Sequence, residues 1–479
     1  MASEGPMHPD HLTPEARAEN AAMLATALGL NVSEAGEALS FDVAVTVDPK
    51  DPVASAIANE FVQIFERTVR SVKLNGDYSA SCLEVVIGNA PPRTGHKKLF
   101  VSVSEERATI GDGQIEMCCT QMPHIFSVLV ACYTCAAALQ RALDGRLPFN
   151  VAPQLVIPFD QFGIDEEAFT APIYIEKAYL AGAGAIGNGF IWAARYLDVH
   201  GEIHIADDDT VSPGNLNRQI WFTKEDIDKP KADRLASHAQ PFFPNLTLIP
   251  RRKRLQDLRS EGPWLKRLIV AVDSRRARRE IQNEFPGEVF DASTTDIREV
   301  VVHYHKQVTE RACLSCIYEA DPDEASREAH IAEHLGVSVE EVRQERISEH
   351  AAKRIAARIP KLDGRAIVGV AYDTLFKQLC GEGELKTLEG RRVIAPFAFV
   401  SVLAGALLVL EVVRRLGKGV SGRNHNYWRV SPWHPPIQRR QQLRPKQPGC
   451  EFCSDSILAR VNTALWGNQD RPGVPVLGQ

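Results

Sequence analysis

The chain has no excess of positive charge. Its 55 Lys and Arg stand against 61 Asp and Glu, for a formal net charge of −6. That balance argues against a nucleic-acid partner, which requires a basic patch or stripe. Long apolar runs are also missing. The longest, Phe397 to Leu410, is broken by Ser401 and Gly405 and soon followed by Glu411, Arg414 and Arg415. It falls short of the roughly 18 residues of a membrane span, so a buried helix is expected, and no membrane. The N-terminus lacks the basic, apolar, small-residue order of a secretory signal. Ten cysteines without such a signal point to reduced thiols, metal ligands or a nucleophile, and away from a disulfide framework. What is present is length and apolar content: 479 residues, 44% hydrophobic. The expectation is a cytosolic enzyme of roughly two to four domains.

One stretch organises the chain. Leu180 and Ala181 end a short apolar run, and Gly182, Gly184 and Gly187 follow as G-x-G-x-x-G. The first glycine permits a tight turn, the second a close backbone approach to phosphate, and the third close packing of helix on strand. The start of the helix then favours an anion. A second strand, Glu202 to Ala206, ends in Asp207-Asp208-Asp209. Asp207 lies 25 positions after Gly182 (207 − 182), near the roughly 20 expected of an acidic residue that holds a ribose hydroxyl. Alone, this predicts only a dinucleotide or ATP site.

The next residues narrow the reading. Thr210 to Gln219 contain Asn215, Arg218 and Gln219, and Asp228-Lys229-Pro230-Lys231-Ala232 follows. Arg offers a planar fork to phosphate oxygens and Lys a point charge, which suits a triphosphate. This block resembles the E1-like (ThiF/MoeB/ubiquitin-activating) adenylyltransferase family, whose pattern is D-x-D-x-V-x-x-S-N-L-x-R-Q followed by a P-K-A lysine. Here Gly214 stands where the family has serine. The resemblance implies a doubly wound, Rossmann-like α/β adenylation fold. Gly182, Gly184, Gly187, Asp207 and Asp209 would form the ATP site. Asn215, Arg218, Gln219 and Lys231 would contact phosphates. A further apolar run, Leu268 to Val272, ends in Asp273-Ser274-x-x-x-Arg278. An acidic residue there projects from the carboxyl edge of a parallel sheet, where ligands bind in such folds. By resemblance Asp273 holds Mg²⁺, with Ser274 replacing the family's asparagine.

Two CxxC pairs, Cys313/Cys316 and Cys450/Cys453, can supply four thiolates to a tetrahedral zinc. Their separation far exceeds the roughly 15–20 residues of a local zinc ribbon. The family places one pair after this strand and one near the C-terminus, so the resemblance supports zinc. A third CxxC, Cys132/Cys135, lies within the apolar helix Pro123 to Leu143 and reads as core. Cys380 is the only cysteine between the zinc pairs. It lies near Lys377, and a positive neighbour lowers a thiol pKa. By resemblance it is the thioester-forming nucleophile, with a structural cysteine as the other reading.

The remaining chain predicts strands at Phe41–Val47, Cys82–Ile87 and Lys98–Val103 and helices at Val53–Val72 and Val339–Ile359. The domain expectation is an N-terminal α/β unit at 1–160, either an inactive adenylation half or an unrelated docking domain. The adenylation domain follows at 166–320, a helical insertion with the cysteine crossover at 321–392, and the end of the adenylation domain with its zinc tail at 393–479. Arg67, Arg70 and Arg93 are candidates for an arginine that completes the ATP site from the N-terminal half. The expected function is activation of a ubiquitin-like protein, with transfer to an E2-like protein, in the setting of a Bil-type antiphage operon. A homodimer stays open. The alternatives are adenylation of a sulfur carrier, a nicotinamide-dependent oxidoreductase and a non-catalytic scaffold that binds nucleotide.

Overall fold

The computed structural model describes residues 12–76, 78–149, 151–164, 166–258, 265–295, 297–320, 324–343, 347–365, 396–417, 425–437 and 440–467, with scattered residues between 367 and 379. The chain divides into two compact units. The first comprises Met1–Arg17, Ala38–Glu319 and Pro396–Gln479, and the second Ala18–Glu37 and Ala320–Ala395.

The first unit holds two sheets. One is built from β1 (Asp42–Val47), β2 (Ser71–Leu74), β3 (Ser81–Ile87), β4 (Lys97–Val103), β5 (Arg107–Gly111) and β6 (Gln154–Pro158). Its order is β2-β1-β3-β4-β5-β6, parallel from β2 to β4 and antiparallel beyond. Every residue of β1 is buried, as expected where helices cover a parallel strand on its faces. The covering helices are Pro52–Phe65 and His124–Ala142. The second of these is long and apolar enough to cross a membrane by length and composition. Its residues Ile125–Leu139 are nevertheless all buried, and Cys132 and Cys135 are core residues there.

The second sheet contains β7 (Ile173–Ala181), β8 (Val199–Ala206), β9 (Leu246–Arg251), β10 (Arg267–Val270), β11 (Glu288–Thr295), β12 (Glu299–Lys306), β13 (Tyr427–Val430) and β14 (Gln441–Gln442). Its order is β14-β13-β12-β11-β10-β7-β8-β9. The five strands from β11 to β9 are parallel. From β7 the chain winds outward to β8 and β9, then returns to lay β10 and β11 on the other side. The strand order therefore reverses between β7 and β10, and in a doubly wound sheet ligands bind at the carboxyl ends of the strands at such a point.

The helix Ala185–Ala194 packs against Ala398–Leu416, which also touches His124–Ala142 and β11. Glycines allow this crossing. A Cβ on Gly405 would lie 2.1 Å from the Gly189 carbonyl carbon, so the two backbones touch. The glycine that interrupts the longest apolar run is thus the contact point of a buried helix pair.

Two helix expectations were too long. Val53–Val72 ends at Phe65, and Ser71–Leu74 pairs with β1. The β-branched Thr68, Val69 and Val72 favour that exit. Val339–Ile359 is two helices, Val339–Arg343 and Glu349–Arg358, the second capped by the Ser348 hydroxyl accepting from the Ala351 amide. Strands β5 and β6 had no counterpart in the sequence reading. In the second unit these helices and Glu324–Leu335 bury Leu335, Ile347, Ala351, Ile355, Tyr372, Phe376 and Leu379 in a core of their own.

Candidate active site

The carboxyl ends of β7, β8 and β10 bring the motif residues together. Gly182 leaves β7 with φ of +98°, a conformation that side chains rarely adopt, and a Cβ there would meet the Ala271 carbonyl oxygen at 2.9 Å. Gly184 precedes the first residue of the helix Ala185–Ala194. A Cβ on Gly187 would lie 2.1 Å from the Gly182 carbonyl oxygen. The loop therefore turns tightly because two of its glycines exclude any side chain. Gly187→Ala is expected to force the loop open and weaken nucleotide binding about a hundredfold, about 2.7 kcal/mol. Calorimetric titration with ATP measures it, with the thermal midpoint as a control for folding.

Asp207 follows β8. One carboxylate oxygen accepts from the Ala183 amide at 2.7 Å and the other from the Asp209 amide at 2.9 Å. Its side chain thereby fixes the glycine loop as well as lying beside it. Burial pushes the carboxyl up, against the pull of Lys231, with Asp209 adding to the rise. Lys231 opens the helix Lys231–Ala239, and its Nζ lies 3.0 Å from an Asp209 carboxylate oxygen. Burial opposes its charge, but Asp207 and Asp209 overcome this and hold its pKa above the ordinary value. Lys231 is thus a buried cation paired with Asp209 and stabilised by the charge of Asp207.

Arg218 is close enough to Lys231 to repel it. Its Nη1 donates to the Gly214 carbonyl at 3.2 Å and the Asn217 side-chain oxygen at 2.7 Å. Asn215 is buried, and its side-chain oxygen accepts from the Ser212 amide at 3.1 Å, which shapes the turn Pro213–Asn217. Gln219 is buried one residue beyond Arg218, and its Oε1 has no hydrogen-bond partner among the described residues.

Asp273 is exposed, three residues past the end of β10 and two past Ala271, which abuts Gly182. Ser274 caps the next helix, its hydroxyl accepting from the Ala277 amide at 3.2 Å. Ser and Asn are both favoured N-caps, so the exchange at this position keeps that role. Arg278 is spent internally, on Asp291 at 2.9 Å and the Ala292 carbonyl at 2.8 Å. Contacts run from Ala271 to Gly182, and from Ala183 through Asp207 and Asp209 to Lys231. Asp273 follows Ala271 by two residues, and Arg218 acts on Lys231 through its charge. Cys380 lies outside the described residues.

One group was missed from the sequence, Asn188, and one candidate, Arg67, takes a role the sequence did not suggest. Asn188 is fully buried. Its amide donates to the Ala183 and Gly184 carbonyls at 2.8 and 3.0 Å, and its oxygen accepts from the Trp221 amide at 3.1 Å. It ties the glycine loop to the segment that follows Arg218, and the only signal was one amide in an apolar helix. Arg67 comes from the N-terminal half and is buried. Its guanidinium donates to the carbonyls of Leu216, Gln219, Ile220 and Phe222 at 2.6, 3.3, 2.8 and 3.2 Å. Burial pushes its pKa down to about 10, against the pull of Glu66. Arg70 is engaged instead with Asp42 at 2.7 Å, and the Arg93 guanidinium lies 5.9 Å from the centre of the Tyr78 ring. The halves meet again where Glu60 accepts from Trp192, Arg195 and Tyr196.

The four cysteines of the outer CxxC pairs converge. Cys313 Sγ lies 3.7, 3.8 and 3.4 Å from the sulfurs of Cys316, Cys450 and Cys453, and Cys316 lies 3.8 Å from Cys453. A disulfide needs about 2.05 Å. A tetrahedron with Zn–S of about 2.3 Å places its sulfurs about 3.8 Å apart. The Gln447 and Cys453 amides point at Cys316 and Cys450 sulfurs at 3.4 and 3.5 Å, as donors to thiolates do. The donor set fits zinc in number, type and spacing.

A family model described as the ThiF family matches residues 166–452, and a second, the E1 N-terminal domain, matches residues 14–165. The chain belongs to the ThiF family. Members of the ThiF family are ATP-dependent adenylyltransferases. The protein y4jF of Sinorhizobium fredii is 27% identical over 326 residues, covering 64% of this chain and 62% of that protein. The ubiquitin-activating enzyme E1-like protein of Saccharomyces cerevisiae is 36% identical over 110 residues, 22% of this chain and 17% of its own. The yeast NEDD8-activating enzyme E1 catalytic subunit is 33% identical over 109 residues, 22% and 36% of the two chains. The chain thus spans less than two thirds of the length of each of these relatives. E. coli MccB, solved with AMPCPP and MccA, is 13% identical with a TM-score of 0.38, covering 74% of this chain and 98% of that one.

Proposed function

We propose that this protein activates the C-terminal carboxylate of a ubiquitin-like protein with ATP. The observation that carries the reading is the buried Lys231 paired with Asp209, whose amide donates to the same Asp207 carboxylate that holds the glycine loop. A fixed cation beside a phosphate-cradling turn stabilises charge without reorganisation. The names of the yeast relatives support the choice of carrier.

In this reading the backbone of Gly182 to Gly187 receives the phosphates and Asp207 the ribose. A carrier carboxylate oxygen bonds to the α-phosphorus as the bond to the bridging oxygen breaks, and pyrophosphate leaves with that electron pair. Lys231 and Arg218 offset the charge on the phosphate oxygens, and Gln219 lies beside them. Asp273 would hold Mg²⁺, which neutralises phosphate charge when bound. The Cys380 sulfur, having lost its proton to solvent, then bonds to the acyl carbon as AMP leaves. The thioester passes to an E2-like protein, and the setting we propose is a Bil-type antiphage operon.

The test is ATP–pyrophosphate exchange with purified enzyme and candidate ubiquitin-like proteins, those encoded beside the gene first. Exchange is expected only with a carrier that ends in a free carboxylate. Lys231→Met is expected to lower it by roughly 10²–10³. Cys380→Ser is expected to keep exchange and lose the thiol-sensitive carrier adduct. Absence of exchange with every carrier would remove the proposal; exchange without any adduct would leave only its adenylation step.

A further inference from the structure

The second unit carries a cluster that this reading does not use. His330, Glu333 and His334 lie on the helix Glu324–Leu335, and one ligand atom from each falls within 4.8 Å of the others. The spacing i, i+3, i+4 places them on one helical face. The two imidazole rings are 4.0 Å apart, centre to centre. Both meet the buried Phe376 edge-on, at 5.7 and 6.1 Å, which restricts how they turn.

One nitrogen is already assigned. His334 Nδ1 lies 2.9 Å from the His330 carbonyl oxygen. A carbonyl only accepts, so Nδ1 carries the hydrogen and, in the neutral ring, Nε2 keeps a lone pair. Orientation of a ligating imidazole through its other nitrogen is the usual support of a metal site. His330 and His334 are half-buried and Glu333 is exposed, so an ion reaches them from solvent.

We propose that His330, Glu333 and His334 bind a divalent transition ion of the zinc class. Two imidazoles and one carboxylate suit zinc, nickel or copper, and discriminate against calcium and magnesium, which favour oxygen. Three ligands leave a coordination position for water or for a donor from a partner. The donor chemistry differs from that of the four-cysteine cluster, which makes the two sites separable.

The experiment uses untagged full-length protein, analysed for metal and then titrated calorimetrically with zinc chloride. The expected result is one tightly retained equivalent from the cysteines and one further equivalent that binds during the titration. His330→Ala/His334→Ala is expected to lose the further equivalent and keep the first, with an unchanged thermal midpoint before zinc is added. Glu333→Gln is expected to weaken the further equivalent about tenfold. Copper(II) loaded to one equivalent should show a spin-resonance spectrum with two nitrogen ligands. A wild-type protein that takes up no further equivalent overturns the proposal. So does a double variant that binds it with unchanged affinity.

Discussion

Replacing Arg67 with alanine is expected to destabilise the nucleotide-free protein by about 3–5 kcal/mol and to lower the affinity for ATP at least tenfold. The family resemblance allows an arginine from the N-terminal half to touch phosphate. The structure gives this arginine a different task. Its two terminal nitrogens hold four carbonyls of the segment Leu216–Phe222, which contains Arg218 and Gln219 at its start. Truncation leaves four carbonyls without a charged donor in a buried place, where each unsatisfied group costs about 1–3 kcal/mol and water entry recovers part. The segment loosens, and Arg218 loses its fixed position. A phosphate ligand would behave otherwise: its loss would raise KM for ATP and leave the stability of the free enzyme alone. The decisive pair of measurements is therefore the thermal midpoint without nucleotide and the ATP titration. Arg67→Lys should fall between, since a single ammonium cannot reach all four oxygens. An unchanged midpoint in Arg67→Ala would refute the clamp.

That role was not legible in the sequence, and the reason is physical. Gly182, Asp207, Lys231 and Asp273 each belong to a local pattern: a turn, two strand ends or the start of a helix. Local patterns report local backbone needs, and a doubly wound sheet then gathers strand ends at one edge. Asp207 could be read from its distance to Gly182 because β7 and β8 are neighbours in the sheet. Arg67 instead acts on residues about 150 positions away, and Glu60 on a helix more than 130 positions away. Nothing near either residue announces a partner. Asn188 and the Gly189–Gly405 crossing are of the same kind. The four cysteines were legible despite their separation, because each CxxC pair carries its own spacing rule and the family resemblance joined the two pairs. The start of strand β2 was absorbed into a helix because Val69 and Val72 continued its apolar spacing, and their β-branching together with pairing to β1 decided otherwise.

The cysteine cluster makes the other large effect. Cys313 caps the short helix Leu314–Ile317 after β12 and Cys316 lies within it, whereas Cys450 and Cys453 precede the helix Ser456–Trp466. A bound ion would cross-link segments 137 positions apart (450 − 313). Cys450→Ser is expected to abolish retained zinc, lower stability by about 5 kcal/mol and expose the chain beyond residue 444 to protease. The figure is set below the roughly 10–16 kcal/mol of zinc-finger peptides because those are otherwise unfolded. Here the tail keeps other anchors. Trp466 Nε1 donates to the Phe285 carbonyl at 3.0 Å, Asn462 to the Gln307 side chain at 2.8 Å, and Phe452 packs on Phe285. A strong chelator on the wild type should reproduce the loss, and added zinc should reverse it there but not in the variant. Among the described residues, the cluster packs with Phe285, Ala312, Ile317, Phe452, Leu458 and Leu465. ATP–pyrophosphate exchange at low temperature should therefore survive in Cys450→Ser and fail only as the tail melts. Retention of the full midpoint after complete zinc removal would mean that the anchors alone hold the tail and that the four sulfurs contribute little to the fold.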